Sequence, residues 1–178
     1  MIISIRAFQD KGKTALAVGL SLELCLHHGY RFDEIHANIP LDFPVEEKPH
    51  LYNNAGLRRY IQMLVTTGER HKIIIVDEAD RVFPARFWQK EEQTEALIGL
   101  WQDYKLFHYI IYTAHGGTGV DVVLRQVTQM ELTPEYDKFN DCIPFTIYNA
   151  VDGYVSDDCL VDVSKRIFPY YHRWKRVV

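Results

Sequence analysis

The sequence predicts an α/β fold: a three-layer sandwich with a mostly parallel central sheet between helices, followed by a C-terminal β-hairpin. Three observations carry this prediction. Short apolar, largely β-branched runs at Ile2–Ile5, Ile73–Val76 and Tyr109–Thr113 read as strands, with Ile73–Val76 buried on both faces. Longer stretches with helical spacing alternate with them, which is the pattern of strand–helix units in a parallel sheet. Asp152-Gly153 then separates two further strand-like runs, a turn signal between antiparallel partners.

The elements follow in order. Ile2–Arg6 is a strand and Lys13–Leu26 a helix closed by Gly29; Glu34–Asn38 is a second strand, and Pro40–Pro49 a loop. Asn54–Val65 is helical and ends at Gly68. Lys72–Asp77 is the third strand, Pro84–Trp88 a turn, and Glu91–Tyr104 a helix with Leu97, Leu100, Trp101 and Tyr104 on one side. Tyr109–Thr113 is a buried strand, and Gly116, Gly117 and Gly119 form a flexible loop. Val120–Gln126 is a short helix and Val127–Leu132 a strand; Ile143–Ala150 and Cys159–Ser164 make the hairpin. The sequence is expected to form one domain over residues 1–178, with a core over about 1–132 and a hairpin and basic-aromatic tail over about 143–178.

The first strand runs into A-F-Q-D-K-G-K-T at Ala7–Thr14, and the first helix starts there. This is the setting of a phosphate-binding P-loop, G-x-x-x-x-G-K-[ST], with Ala7 in place of the first glycine. Backbone N–H groups of such a loop turn inward, and the helix N-terminus adds to their attraction for phosphate. Gln9, Asp10, Lys11, Gly12, Lys13, Thr14 and Ala15 are the expected nucleotide-binding residues. Gly12 lets the backbone come close, Lys13 reaches the β- and γ-phosphates, and Thr14 ligates Mg²⁺. Ala7 fits only if its φ is negative. Asp10 opposes phosphate charge, which Lys11 offsets.

The third strand ends in Asp77-Glu78, at the carboxyl edge where ligands bind in parallel sheets. Asp77 is expected to hold Mg²⁺ through water opposite Thr14, and Glu78 to act as the base on the attacking water. Asp77-Glu78-Ala79-Asp80 spells the D-E-A-D helicase box by coincidence, because such helicases need two nucleotide-binding domains. If Tyr109–Thr113 lies between the first and third strands, Thr113 or His115 at its tip faces the γ-phosphate; the alternative is that His115 is an ordinary loop histidine. Arg81, Arg86 and Arg125 are candidates for an arginine delivered to a neighbouring subunit's site, with Arg86 carried forward as the catalytic choice; Arg58 and Arg59 are weaker.

Composition excludes several classes. The chain has 178 residues, 47% of them apolar, which suits a packed globular core rather than disorder. No apolar run is long enough to cross a bilayer, and the first strand stands where a signal peptide would be, so neither membrane anchor nor leader is expected. Cys25, Cys142 and Cys159 lack metal-ligand spacing and read as reduced cytosolic thiols. A net charge of −4 excludes a globally basic nucleic-acid binder. Lys165, Arg166, His172, Arg173, Lys175 and Arg176 interleave with Phe168, Tyr170, Tyr171 and Trp174. This reads either as aromatics packed on the sheet with solvated charges, which is favoured, or as a phosphate-contacting strip.

Taken together, the N-terminal P-loop, H-A-N-I-P-L, V-D-E-A-D-R-V-F-P-A-R-F, I-I-Y-T-A-H and V-D-V-V-L-R-Q-V-T resemble the Zot-like branch of the HerA/FtsK superfamily over about Met1–Leu132. The resemblance implies an ASCE, RecA-like P-loop NTPase fold that uses ATP and Mg²⁺. It implies Lys13 and Thr14 in the Walker A site, Asp77 and Glu78 in the Walker B site, and His115 where the family has a polar sensor, usually glutamine. It also implies a hexameric or pentameric homo-oligomeric ring when active, with double-stranded DNA and viral capsid or portal proteins as partners, in the host cytoplasm or associated with the virion. The resulting expectation is a motor that packages or translocates viral DNA. The alternatives are a Zot-like filamentous-phage assembly ATPase, a P-loop nucleotide or small-molecule kinase, and an assembly scaffold without turnover.

Overall fold

The computed structural model describes residues 1–84, 108–115, 119–120 and 122–171. Strands β1 (Ile2–Arg6), β2 (Ile35–Ala37), β3 (His50–Leu51), β4 (Ile73–Val76), β5 (Tyr109–Ala114), β6 (Met130–Pro134), β7 (Cys142–Asn149) and β8 (Val155–Val161) form one sheet of order β3-β2-β4-β5-β1-β6-β7-β8. Pairing is parallel from β3 to β6 and antiparallel for β6–β7 and β7–β8. The expected Tyr109 strand therefore does lie between the first strand and the strand ending in the two acids. Among the described residues the helices that accompany the sheet are α1 (Lys13–His27), α2 (Asn54–Thr67), α3 (Ala79–Val82), α4 (Val122–Gln126) and α5 (Val163–Arg166).

The period-2 geometry of a strand divides each apolar run between the two faces. Ile2, Ile74, Val76, Ile110 and Tyr112 face α2, α3 and α4, where Leu57, Ile61, Val82 and Leu124 meet them. Ile3, Ile5, Ile73, Ile75 and Ile111 face α1, where Leu16, Val18 and Leu24 are buried. This two-sided burial is why the central strands read as unbroken apolar runs. Each fully buried isoleucine contributes about 1.5–3 kcal/mol relative to exposure, which makes the β4–β5–β1 centre the most strongly determined part of the sheet.

Several boundaries differ from the sequence expectation. The Val127–Leu132 strand starts only at Met130, because Val127 N bonds Val123 O at 3.1 Å and Thr128 N bonds Arg125 O at 3.3 Å, finishing the turn of α4. The α4 helix itself spans Val122–Gln126 rather than starting at Val120, which bridges Pro84. The second hairpin strand is Val155–Val161, not Cys159–Ser164. Its polar outer residues hid it, and Asp162 (φ 54°) then turns the chain into α5. Asp141 holds that turn by accepting from Ser164 Oγ at 2.6 Å and Ser164 N at 2.9 Å. The two-residue β3 had no sequence signal. The expected helix Glu91–Tyr104, Gly116 and Gly117, Arg86, and the tail from His172 lie outside the described residues.

After α5, Ile167–Tyr171 runs along the α1 face to the loop behind β2. Val163 and Ile167 enter the core, Arg166 approaches Glu23 of α1 at 3.5 Å, and Asp42 N donates to Tyr170 O at 2.8 Å. Tyr170 and Tyr171 thus pack while Lys165, Arg166 and Phe168 stay exposed, so the favoured reading holds for two of the three described aromatics of the tail.

At the opposite edge, His36 is buried and stacked between Tyr60 (4.0 Å between ring centroids) and His50 (4.7 Å). Its ring nitrogens meet Tyr60 Oη at 2.8 Å and Tyr52 Oη at 3.1 Å. Burial, aided by the neighbouring His50 and Lys72, pushes the imidazole down to about 3, so the folded state keeps it neutral. As pH falls below the ordinary imidazole value near 6.5, the unfolded chain takes up a proton that the folded chain refuses. This contribution to instability therefore grows between about pH 6.5 and 3 and vanishes above that window. Denaturant unfolding at pH 7.5 and 5 should show wild type losing more stability on acidification than His36→Gln; equal losses would refute the assignment.

Candidate nucleotide-binding site

The loop between β1 and α1 takes its shape from two left-handed residues. Gly12 has φ 85° and Asp10 φ 62°, while Ala7 stays outside the left-handed region and so meets the condition for replacing glycine. Asp is one of the few side chains that tolerate this conformation, which gives Asp10 a backbone role. Gly12 has a second constraint: a Cβ there would stand 2.9 Å from Ile143 Cδ1 and 3.3 Å from Tyr136 Cβ. Phe8, Gln9 and Asp10 are exposed, and Ala15 is buried beneath the loop. Lys11 pairs with Glu135 at 2.7 Å, tying the loop to the end of β6.

Lys13 and Thr14 open α1 toward the β4 tip. Lys13 is 8% exposed; its Nζ donates to Phe8 O at 2.8 Å and lies 3.3 Å from His115 Nδ1. Burial lowers its pKa, against the nearby carboxylates of Asp77, Glu78 and Asp80. Thr14 Oγ1 donates to Asp77 Oδ1 at 2.9 Å, and Thr113 Oγ1 donates to the same oxygen at 2.7 Å. Burial raises the Asp77 pKa, and these two hydroxyls oppose the rise by hydrogen-bonding the charged form.

Glu78 sits at φ 51° and ψ 59°, a costly conformation for a glutamate and one that collects at functional sites. The fold enforces it: Glu78 N donates to Thr113 Oγ1 at 2.9 Å. Glu78 Oε2 accepts from Arg81 Nε at 2.9 Å, and Oε1 is 4.0 Å from His115 Nε2. The β5 tip thereby places His115 between Lys13 and Glu78. Thr113, by contrast, donates to Asp77 and accepts from the Glu78 backbone, so it ties the two acids to the end of β5. Among the arginine candidates, Arg81 is occupied by Glu78 of its own chain, and Arg86 lies outside the described residues.

Asn38 was missed as a site residue. Its amide clamps the Asp77 backbone from both sides, with Nδ2 donating to Asp77 O at 2.8 Å and Oδ1 accepting from Asp77 N at 2.7 Å, and Nδ2 also reaches Asn54 Oδ1 at 2.9 Å. The available signal was an amide at the end of a buried strand, where a polar group needs a buried partner. Asn38→Ala leaves a buried backbone N–H and C=O unsatisfied and should lower unfolding free energy by about 1–3 kcal/mol in urea titration; an unchanged midpoint would refute the clamp.

No protein-family model and no curated protein matches this sequence. Solved structures do resemble it. The genome-packaging NTPase B204 of Sulfolobus turreted icosahedral virus 2, in complex with ATP-γS, aligns with a TM-score of 0.62 at 11% identity, over 88% of this chain and 95% of that one. The N-terminal domain of zonular occludens toxin from Neisseria meningitidis aligns with a TM-score of 0.54 at 16% identity, over 96% and 98%. The KaiC-like protein PH0186 of Pyrococcus horikoshii OT3 gives 0.51 at 13% identity, over 89% and 82%. Sheet order, loop and neighbours agree: the chain has the fold of the P-loop NTPases.

Proposed function

We propose that this protein hydrolyses ATP to drive double-stranded DNA into a viral capsid, acting as a homo-oligomeric ring. The observation that carries the reading is the convergence of Lys13, Thr14, Asp77, Glu78 and His115 on one sheet edge, linked by contacts of 2.9 Å (Thr14–Asp77), 3.3 Å (Lys13–His115) and 4.0 Å (His115–Glu78). The P-loop backbone over Gln9–Thr14 binds the phosphates, and Lys13 leaves Phe8 O to reach the β- and γ-phosphate oxygens. A hydroxyl and a buried carboxylate aimed at one point form a hard-oxygen donor set that fits Mg²⁺, so Thr14 and Asp77 would hold the ion. Bound there, Mg²⁺ neutralises charge on the β- and γ-phosphates.

Glu78 accepts the proton of the attacking water. Its strained backbone, fixed by Thr113, points the carboxylate past the end of β4, and Arg81 restrains one oxygen. His115 contacts the γ-phosphate or that water. An arginine from the adjacent subunit, with Arg86 the first candidate, stabilises the developing charge. An acid positioned in this way suits hydrolysis better than transfer to a small acceptor, which disfavours the kinase reading. The B204 packaging NTPase supports the packaging role by its likeness in fold. The toxin domain, matched over almost its whole length, favours a second reading, a filamentous-phage assembly ATPase.

Among the described residues no helix is long and apolar enough to cross a membrane. We place the protein in the host cytoplasm or on the virion, working against a capsid or portal protein.

Phosphate release from ATP, measured with and without double-stranded DNA, tests the proposal. DNA stimulation supports the packaging motor, DNA-independent hydrolysis supports the assembly ATPase, and absence of turnover refutes both. Glu78→Gln should keep ATP binding and lower turnover by about 10²–10⁴-fold; undiminished turnover would remove Glu78 from its role.

A further inference from the structure

Beside the P-loop stands an aromatic group that the hydrolytic machinery leaves unused. Tyr136 and Phe168 meet edge to face with ring centroids 5.6 Å apart, and Phe168 meets Tyr171 in the same manner at 6.2 Å. Tyr136 touches the position that a Gly12 Cβ would fill, so the group borders the phosphate loop. Phe168 is 36% exposed, an unusual state for a phenylalanine whose neighbours are packed. Tyr171 is held by its backbone bridge to Leu41.

Topology says which end of a bound nucleotide reaches these rings. Glu78 and His115 fix the γ end at the tips of β4 and β5, on one side of β1. Tyr136 follows β6, on the other side of β1. A triphosphate laid across Gly12 with its γ end at Glu78 therefore directs its ribose and base toward Tyr136 and Phe168.

We infer that Tyr136 and Phe168 form the nucleobase wall of the site, with Phe168 as the ring on which a purine stacks. The inference rests on the nucleotide reading above and adds its base recognition. Stacking uses the π-face that every base has and so selects weakly among them. ATP and GTP should bind with similar affinity, and both far more tightly than inorganic tripolyphosphate. The wall belongs to the C-terminal segment, so part of the nucleotide site lies outside the P-loop core.

The test is calorimetric titration of the whole chain with ATP, GTP and tripolyphosphate in the presence of Mg²⁺. Phe168→Ala should weaken ATP and GTP by roughly five- to a hundred-fold, the range of base–aromatic stacking, and leave tripolyphosphate unchanged. Phe168→Leu keeps apolar volume without a π-face and should show the same selective loss with a wild-type melting temperature, which covers the case of an unfolded alanine variant. Phe139→Ala, a fully exposed aromatic in the neighbouring turn, should change nothing. Equal loss of all three ligands in Phe168→Leu, or loss of none, overturns the base wall while leaving the P-loop reading intact. Failure of wild type to bind any of the three overturns the P-loop reading and this inference with it.

Discussion

The geometry of the site depends on one shared acceptor. Asp77 Oδ1 takes hydrogen bonds from Thr14 at the start of α1 and from Thr113 at the end of β5. A single buried oxygen thus joins the helix that carries the loop to the strand that carries His115. Hydrogen bonds to a charged, buried acceptor are stronger than neutral ones, and losing a donor leaves a desolvated charge. Asn38 fixes the backbone of the same residue from the β2 side. Around Asp77, the elements β2, β4, β5 and α1 are consequently held in one arrangement.

The strain in the site follows from this arrangement. Glu78 is placed in a left-handed conformation by the N–H···Oγ bond to Thr113, whose hydroxyl is itself oriented by Asp77. A relaxed extended residue would continue β4 and carry the carboxylate away from His115. Glu78 stands between the fully buried Ile73–Val76 strand and α3, which begins at once. A rigid centre with a strained tip is the arrangement expected where a side chain must be preorganised.

The second half of the sheet has a different character. Strand β8 is largely exposed, and the hairpin joins the core mainly through Ile143, Phe145 and Leu160. Its importance lies in what it delivers. Through α5 it carries Ile167–Tyr171 back across α1, which sets Phe168 against Tyr136 and couples the end of the described chain to the loop behind β2.

The sequence by itself determined the central strands, because runs such as Ile73–Val76 are buried on both faces and leave no other reading. It also determined α1 and the turn ahead of it, because a glycine between an apolar strand and a helical run marks both boundaries. The acids Asp77 and Glu78 were legible for the same reason: they interrupt an apolar run at the edge where such sheets bind ligands. Only the tertiary structure decided what depends on non-local partners. Thr113 is bound to Asp77, a residue thirty-six positions away in sequence, and to the backbone of Glu78. The left-handed Glu78 and the nearness of Tyr136 to Gly12 have no local signature, and the partner that Asn38 clamps lies thirty-nine positions away. The second hairpin strand was misplaced because an exposed edge strand lacks the apolar alternation that burial imposes. Local periodicity records what a residue is buried against only when the whole element is buried, and contacts between elements appear only once the sheet order is known.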